Sequence, residues 1–213
     1  MTDDRQYAPA TQRNREPILA VLQNVLPDSG TVLEISSGTG EHAVYFAPHL
    51  PALQWLPSDV NPLALASITA WRDRQPTPNL HPPIALDAGT TPWIVEAPER
   101  IASPDLAAHS IQAIVNINMI HIAPWSACLG LMAGAGRVLP EGGVLVLYGP
   151  FRQRSVATAP SNETFDRSLK SQHPEWGLRQ LEEVEAIARQ HHLTLVETRP
   201  MPANNLTVIW HKT

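Results

Sequence analysis

The sequence predicts an α/β fold: a mostly parallel seven-stranded sheet with helices on both faces and an antiparallel hairpin at its C-terminal end. Short apolar runs alternate with helical patterns along most of the chain, which is typical of parallel strands joined by crossover helices. The last two runs are joined too closely for a crossover helix, so they are predicted to pair antiparallel. At 213 residues the chain is long enough to bury such a core as a single domain over 1–213.

The seven predicted strands are short apolar runs bounded by turn residues. They cover 31–35, 53–56, 81–86, 111–117, 144–148, 193–198 and 206–210. Pro82 and Pro83 weaken the third strand, because proline cannot donate to a sheet ladder. Residues 87–110 are predicted to be mostly loop, with a short helix near Ile94.

Apolar residues at helical spacing predict the helices between these strands. One helix is predicted to end near Pro27, and a second follows Gly40. A third begins at Asn61-Pro62, and two more cover 124–138 and 181–191. Asn61 is a good capping residue, and proline is favoured in the first turn that follows it. Pro17 is either a first-turn residue of the first helix or a break in it, and Pro48 ends or kinks the second.

Composition excludes several classes of protein. The single cysteine, Cys128, rules out an internal disulfide framework and a cysteine-rich zinc site, and no metal site is predicted. A net charge of −5 argues against a nucleic-acid binder that coats phosphates. The N-terminus lacks the pattern of a signal peptide, and no apolar run approaches the ~18 residues of a membrane helix. We therefore expect a soluble, cytoplasmic protein without a membrane partner, and the oligomeric state stays open.

The main functional signal is the turn Glu34-Ile35-Ser36-Ser37-Gly38-Thr39-Gly40 between the first strand and its helix. Glycines let the backbone turn tightly and approach a ligand, and the helix N-terminus offers free amides. Alone, this could be an ordinary strand-to-helix turn. Asp59, however, stands 19 residues after Gly40 and just past the second strand, where an acid can accept both ribose hydroxyls of a nucleoside cofactor. Its alternative role is to cap the next helix, which Asn61 fills better.

The same loop favours S-adenosylmethionine (SAM) over NAD as the cofactor. Dinucleotide folds use G-x-G-x-x-G, with the pyrophosphate on the helix N-terminus. Here Glu41 follows Gly40 and would repel a pyrophosphate, and Ala43 stands where the third glycine is expected. SAM has no phosphate and carries a sulfonium and an ammonium group, whose charge Glu34 could help to neutralise directly or through water.

These residues resemble motif I of class I SAM-dependent methyltransferases, an acid followed by alternating glycines, with Ser36 in place of the first glycine. The segments 58–62, 86–88 and 114–121 look like the later motifs, in order. More closely, nearly the whole chain resembles the methyltransferase-like twenty-six family, a domain of unknown function. The residues that carry this resemblance lie at 13–19, 34–43, 57–59, 148–151, 161–166, 174–177 and 201–205.

The resemblance implies a Rossmann-like fold that binds SAM. Carried over by position, the cofactor-binding residues are Glu34, Ser36, Gly38, Gly40, Asp59, Asp87, Ala88, Asn118 and Met119. Asp59 would bind the ribose, and Asp87 with Ala88 would flank the adenine, although Asp87 is equally well read as a turn residue before Gly89. Asn118 and Met119 would line the methyl-transfer centre, and the alternative for Met119 is core packing.

Methyl transfer needs an aligned nucleophile, exclusion of water and sometimes a base. His121 lies three residues past Asn118 and its pKa range suits a general base, against the alternative of a satisfied loop histidine. Tyr148 ends the fifth strand and could line the acceptor pocket, or be a buried strand tyrosine. Both are retained as catalytic candidates.

The aperiodic segment 151–178 is a candidate active-site lid. Its Asn162, Phe165 and Asp166 suit a pocket wall around the acceptor. Arg152 and Arg154 could clamp an acidic acceptor or be solvated surface charges. Only the family resemblance singles out Arg13 and Asn14, which would close the pocket from the N-terminal side.

The leading hypothesis is therefore a SAM-dependent methyltransferase acting on a small-molecule or unidentified acceptor. One alternative is a SAM-binding sensor or partner-binding protein without transferase activity. Another is a nucleotide-binding oxidoreductase, and Ser36 and Glu41 argue against it. The chain contains no G-x-S-x-G or H-E-x-x-H motif, and Asn118 lacks the Pro-Pro-aromatic run of DNA amino-methyltransferases.

Overall fold

The computed structural model of the protein describes residues 3–97 and 111–213. In this part of the chain, seven strands form one sheet in the order β3-β2-β1-β4-β5-β7-β6. The strands are β1 Gly30–Ile35, β2 Leu53–Asp59, β3 Ile84–Ala85, β4 Ile111–Ile117, β5 Val144–Gly149, β6 Leu193–Met201 and β7 Asn205–Lys212. The helices are α1 Pro9–Val25, α2 Glu41–His49, α3 Pro62–Arg74, α4 Trp125–Val138, α5 Pro160–Gln172 and α6 Leu181–Gln190. Short 3₁₀ turns lie at Ile94–Glu96, Met119–His121 and Pro202–Asn204.

The predicted fold class is confirmed. Strands β1 to β5 pair in parallel, and β7 pairs antiparallel with both β5 and β6. The strand order reverses between β1 and β4, because the chain moves outward to β2 and β3 before it returns to β4. In open α/β sheets, ligands bind at the carboxyl ends of the strands at such a reversal. The fold therefore places the glycine turn after β1 and Asn118 after β4 on the same edge.

Apolar layers cover both faces of the sheet. Leu33 and Ile35 of β1 pack with residues of α4 and α6 on one face. Val32, whose side chain points to the opposite face, packs with residues of α1 and α2. Strand β5 is buried along its whole length. Burial on both faces is what a parallel sheet between two helix layers requires. In the described residues, no helix has the length and apolar character needed to cross a bilayer.

Two predictions about prolines need correction. The third strand is Ile84–Ala85 rather than 81–86, because Pro82 and Pro83 cannot donate to β2 and the ladder narrows to two residues. Pro17 neither begins nor breaks the first helix, which starts at Pro9 and continues through it. Pro48, by contrast, lies in the last turn of α2, as predicted.

The segment 151–178 is not aperiodic loop throughout, because α5 occupies 13 of its residues. The buried positions of this helix are Asn162, Asp166 and Leu169, which have helical spacing. Two of these three side chains are polar, so a search for apolar periodicity does not find the helix. Polar partners from outside the helix take the place of the missing apolar contacts.

A buried amide connects the end of α2 to the start of β2. The Asn79 Nδ2 group donates to the carbonyl oxygens of Ala47, Leu50 and Leu53, at 2.8, 3.1 and 2.8 Å. Buried carbonyls need such partners, since an unpaired one costs about 1–3 kcal/mol. Asn79 thereby fixes the far end of the helix that begins at the glycine turn.

We expect Asn79→Ala to lower the free energy of unfolding by about 2–4 kcal/mol, because several buried carbonyls lose their donor together. Urea denaturation followed by circular dichroism measures this loss. Asn24→Ala is the matched control, because the exposed Asn24 donates only to Ala20 within its own helix. Equal stability of the two variants would contradict the structural role of Asn79.

Candidate functional site

The turn after β1 is built from left-handed backbone conformations. Ser36, Gly38 and Gly40 have φ angles of 56°, 58° and 88°. Ser36 stands where the motif usually has glycine, so a side chain occupies a conformation that L-residues rarely adopt. Besides this left-handed conformation, close packing requires glycine at position 40, because a Cβ there would lie 2.8 Å from the Ile68 Cα of α3. The turn is therefore strained at Ser36 and closely packed at Gly40.

Asp59, the last residue of β2, joins two loops. Its Oδ2 accepts a hydrogen bond from the Gly38 amide at 3.0 Å, and its Oδ1 accepts one from the Asn61 amide at 2.9 Å. The cap of α3 is Asn61, whose side chain accepts from the Leu63 amide at 2.9 Å. Asp59 is thus not the helix cap. A carboxylate has about four acceptor positions, so two remain for the hydroxyls of a ligand.

Glu34 lies beneath this turn and is almost completely buried. Its Oε2 accepts from the Trp55 indole nitrogen at 2.8 Å, and its backbone carbonyl accepts from the Ser58 hydroxyl at 2.7 Å. Burial raises the pKa of Glu34 to about 7, and the nearby charge of Asp59 adds to the rise. In the structure, Glu34 supports the glycine turn from β1 through these hydrogen bonds, and its contact with a ligand stays a prediction.

Asn118 and Met119 follow β4 on the same edge of the sheet. Asn118 has a left-handed backbone with φ 65°, and its amide donates to the Tyr148 carbonyl at 2.8 Å. Met119 begins the 3₁₀ turn and packs partly against the core beneath α4. The core-packing interpretation of Met119 therefore has structural support, while a role at the methyl-transfer centre stays a prediction.

Asp87 and Ala88 form a tight turn after β3. The Asp87 Oδ1 accepts from the Gly89 amide at 2.8 Å, as expected for the turn interpretation. Ala88 is buried, and its carbonyl accepts from the Trp93 indole at 3.2 Å. Contact of either residue with adenine stays a prediction. Part of the predicted loop, residues 98–110, lies outside the described residues.

His121 is fully buried, with its ring edge against Phe151 at a centroid distance of 4.9 Å. Neither ring nitrogen has a hydrogen-bond partner among the described residues. Burial lowers the pKa of His121 to about 3, and the positive charge of Arg179 contributes, so the ring is neutral at physiological pH. A general base must reach the proton that it removes. In this conformation the buried ring does not meet that condition, and its catalytic role stays a prediction.

A polar cluster of Asn14, His42 and Tyr148 links α1, α2 and β5. The His42 Nε2 lies 2.9 Å from the Asn14 Oδ1, and the Asn14 side chain lies near that of Tyr148. Burial, with a smaller effect of Arg15, lowers the pKa of His42 to about 4. Burial raises the pKa of Tyr148. Sequence reasoning did not find His42, because no local motif connects positions 14, 42 and 148.

The residues predicted to bind the methyl acceptor lie in different environments in the structure. Asn162 is buried, and its Nδ2 donates to the Asn204 carbonyl at 2.9 Å. Asp166 is buried between Arg152 and Lys170, at 3.1 and 2.7 Å, so it holds the fold locally. Phe165 and Arg13 are exposed.

Arg152 is not available to clamp an acidic ligand. Its guanidinium makes two bonds to the Glu163 carboxylate, at 2.7 and 2.8 Å. A third bond reaches Asp166 at 3.1 Å. Within the described residues, no group of three or more His, Cys, Asp or Glu side chains is arranged to hold a metal ion.

A family model described as "Protein of unknown function (DUF938)" matches residues 5–212 of the chain. The chain belongs to this family. The narrower resemblance to the methyltransferase-like twenty-six family stays a prediction.

Solved structures similar to this DUF938 protein include an O-methyltransferase family protein from Burkholderia thailandensis, with 12% identity, a TM-score of 0.74, and coverage of 96% of this chain and 57% of that one. An O-methyltransferase family 2 protein from Planctomyces limnophilus, in complex with apigenin, has 18% identity, a TM-score of 0.70 and coverage of 100% and 62%. Human N-acetylserotonin methyltransferase, in complex with SAM, has 11% identity, a TM-score of 0.72 and coverage of 95% and 52%. At these identities the likeness shows the class I methyltransferase fold alone. The chain spans between half and two thirds of each of these structures.

Two exposed apolar residues beside Asp59 were not singled out in the sequence. Val60 directly follows Asp59 and its side chain is 60% exposed, and Leu63 on the next turn is 67% exposed. Apolar side chains beside a carboxylate at the strand-order reversal suit the flat face of a nucleobase. The signal in the sequence was an apolar residue between two polar ones, which is too common to interpret.

We expect Glu34→Gln to remove a pH dependence of stability. The pKa of Glu34 is about 7 in the folded protein against the usual 4.5, so its contribution to stability is full below pH 4.5 and is lost as pH rises through 7. The loss amounts to about 3 kcal/mol, because each pH unit that separates the two pKa values corresponds to about 1.36 kcal/mol. Glutamine keeps an acceptor for the Trp55 indole, so the variant should be the more stable protein at pH 8.

Urea denaturation between pH 5 and pH 8 measures this dependence. Glu16→Gln, at an exposed position of α1, removes the same charge and serves as the control. The same pH dependence in wild type and Glu34→Gln would show that Glu34 is not the titrating group.

Proposed function

We propose that the protein binds SAM at the carboxyl edge of β1, β2 and β4 and transfers its methyl group to a small-molecule acceptor. The observation that carries the proposal is the position of Asp59. Its carboxylate lies at the reversal of strand order, is bonded to the Gly38 amide, and keeps acceptor positions for ribose hydroxyls. The class I methyltransferase fold of the similar structures supports the same assignment.

The N-terminus of α2 fits SAM better than a dinucleotide. The Glu41 carboxylate accepts from the Ala8 amide at 2.5 Å and from the Thr39 hydroxyl at 3.1 Å, so a negative charge is fixed at the first turn of the helix. A pyrophosphate would need this place, and like charges repel there. A sulfonium or ammonium group is attracted by the same carboxylate.

The protein's part in the reaction is mainly positioning. Bound SAM would supply an activated methyl group, which the acceptor would attack in line while the methyl–sulfur bond breaks and S-adenosylhomocysteine leaves. Asp59 would hold the ribose, Val60 would cover the base, and the turn 36–40 would fix the direction of the cofactor. Correct alignment and exclusion of water account for most of the rate that such a site can provide.

The second candidate function is a SAM-binding sensor without transferase activity. The burial of His121 favours it, because the strongest candidate base reaches no ligand in this conformation. Methyl transfer to an acceptor that loses its proton to water needs no such base, so we keep transferase activity as the primary proposal.

We expect Asp59→Asn to weaken binding of S-adenosylhomocysteine by about 1–3 kcal/mol, since the ribose hydroxyls lose a charged acceptor. Titration calorimetry measures the affinity, and Asp28→Asn, in an exposed turn, is the control. NAD should give no binding signal with the wild-type protein. Unchanged affinity in a folded Asp59→Asn protein would remove this residue from the proposed site.

We further propose that closure over the site involves only part of 151–178. Residues 154–157 are exposed, whereas the buried Asp166 ties α5 to Arg152 and to the Leu178 amide. The Arg154 and Val156 amides are hydrogen-bonded, so in hydrogen–deuterium exchange of the ligand-free protein the amides of Ser155 and Ala157 should exchange rapidly and those of α5 slowly. Exchange of α5 as fast as that of Ser155 and Ala157 would instead support a lid made of the whole segment.

A further inference from the structure

A cavity of about 270 Å³ opens beside the carboxyl end of β5. The segment after β5, the first turn of α5 and the β6–β7 turn surround it. Its walls include Phe151, Gln153, Asn162, Met201, Asn204 and Asn205. Strand β5 ends on the same edge of the sheet as β1 and β4, so the cavity is on the side of the proposed cofactor site.

The cavity carries no charge on its described lining. Every lining side chain is apolar, an amide or a hydroxyl. Three arginines flank lining residues without belonging to the lining: Arg152 is paired with Glu163 and Asp166, Arg199 is paired with Glu197, and Arg154 is exposed to solvent. An ion that entered would lose its water without gaining a counter-charge, whereas a neutral polar group could hydrogen-bond to the amides.

The polar wall of the cavity is fixed in place. Asn162 is 7% exposed, and its Nδ2 donates to the Asn204 carbonyl, which leaves the Asn162 Oδ1 available as an acceptor. The Asn204 side chain donates back to the Ser161 hydroxyl at 3.1 Å. Ala203 and Asn204 both have left-handed backbones, at φ 57° and 58°. Such strain persists only where surrounding contacts enforce it, and it concentrates at ligand sites.

Phe151 connects the cavity to the rest of the edge. Its ring forms part of the cavity wall and also packs against His121, which follows Asn118 at the end of β4. An acceptor in the cavity would thus lie one strand away from the proposed position of the cofactor.

We propose that this cavity binds the methyl acceptor, and that the acceptor is an uncharged molecule with an apolar or aromatic face and a hydrogen-bond donor directed at Asn162. The acceptor role rests on the proposed function. The preference for an uncharged ligand rests on the cavity alone.

Three compounds of one shape and different charge test the preference: benzamide, benzoate and benzamidinium. Each has a ring and one small substituent and fits the volume of the cavity. In calorimetric titrations with S-adenosylhomocysteine present, benzamide should bind at least about ten-fold more tightly than either ion, because only the ions enter without a partner. Equal binding of the three, or tighter binding of an ion, would overturn the proposal.

Asn162→Asp places a carboxylate in the wall at nearly constant shape. It should reverse the order, with benzamidinium bound most tightly, while Asn24→Asp on the outside of α1 leaves the order unchanged. Should Asn162→Asp fail to fold, Gln153→Glu introduces the same charge at another, half-buried position of the lining. An unchanged order in a folded variant of either kind would place the probes elsewhere and overturn the assignment.

Binding of S-adenosylhomocysteine alone is measured on the same samples. Loss of the preference for benzamide while S-adenosylhomocysteine still binds overturns the assignment of the cavity and leaves the proposed function intact. If S-adenosylhomocysteine does not bind, the proposed function fails, and the acceptor role of the cavity fails with it.

Discussion

The bond between the Asp59 carboxylate and the Gly38 amide is the constraint on which the site depends. A parallel pairing of β1 and β2 brings the ends of both strands to one edge, and the carboxylate closes the gap between the loops that follow them. The same carboxylate orders the Asn61 amide, and Asn61 then caps α3. A backbone hydrogen bond from the Ser37 amide to the Ser58 carbonyl, at 2.8 Å, also joins the turn after β1 to the end of β2. The direction of the turn and the start of α3 therefore follow from one side chain.

This arrangement places the carboxyl groups of Glu34 and Asp59 close together, and their repulsion disfavours the charged form of Glu34. Glu34 is buried below Asp59, and the charge of Asp59 is one reason for the raised pKa of Glu34. His42 and His121 are likewise buried, with lowered pKa values, near the carboxyl ends of β1 and β4. Shifted ionisable groups at one edge of a sheet, next to a left-handed Ser36, are typical of a functional site rather than of a core optimised for stability.

Local patterns in the sequence predicted the parts of the structure that local physics determines. Strand β4 was predicted with the observed limits, and the cap at Asn61 was predicted from its side chain and the proline that follows. The position of Asp59 beside the glycine turn follows from spacing, because a strand–helix–strand unit has a nearly fixed length. Helix α5 was missed because two of its three buried side chains are polar, and Asp166 is bonded to Arg152 and to the Leu178 amide outside the helix. The cavity was missed because 151–162 and 200–206 meet only in the folded sheet.

A crystal structure of the protein with S-adenosylhomocysteine tests the central claim most directly. We predict that both ribose hydroxyls lie within hydrogen-bond distance of the Asp59 carboxylate, that the adenine packs against Val60, and that the sulfur faces the cavity beside Phe151. A ligand bound elsewhere, or a ribose that makes no contact with Asp59, would contradict the proposed site.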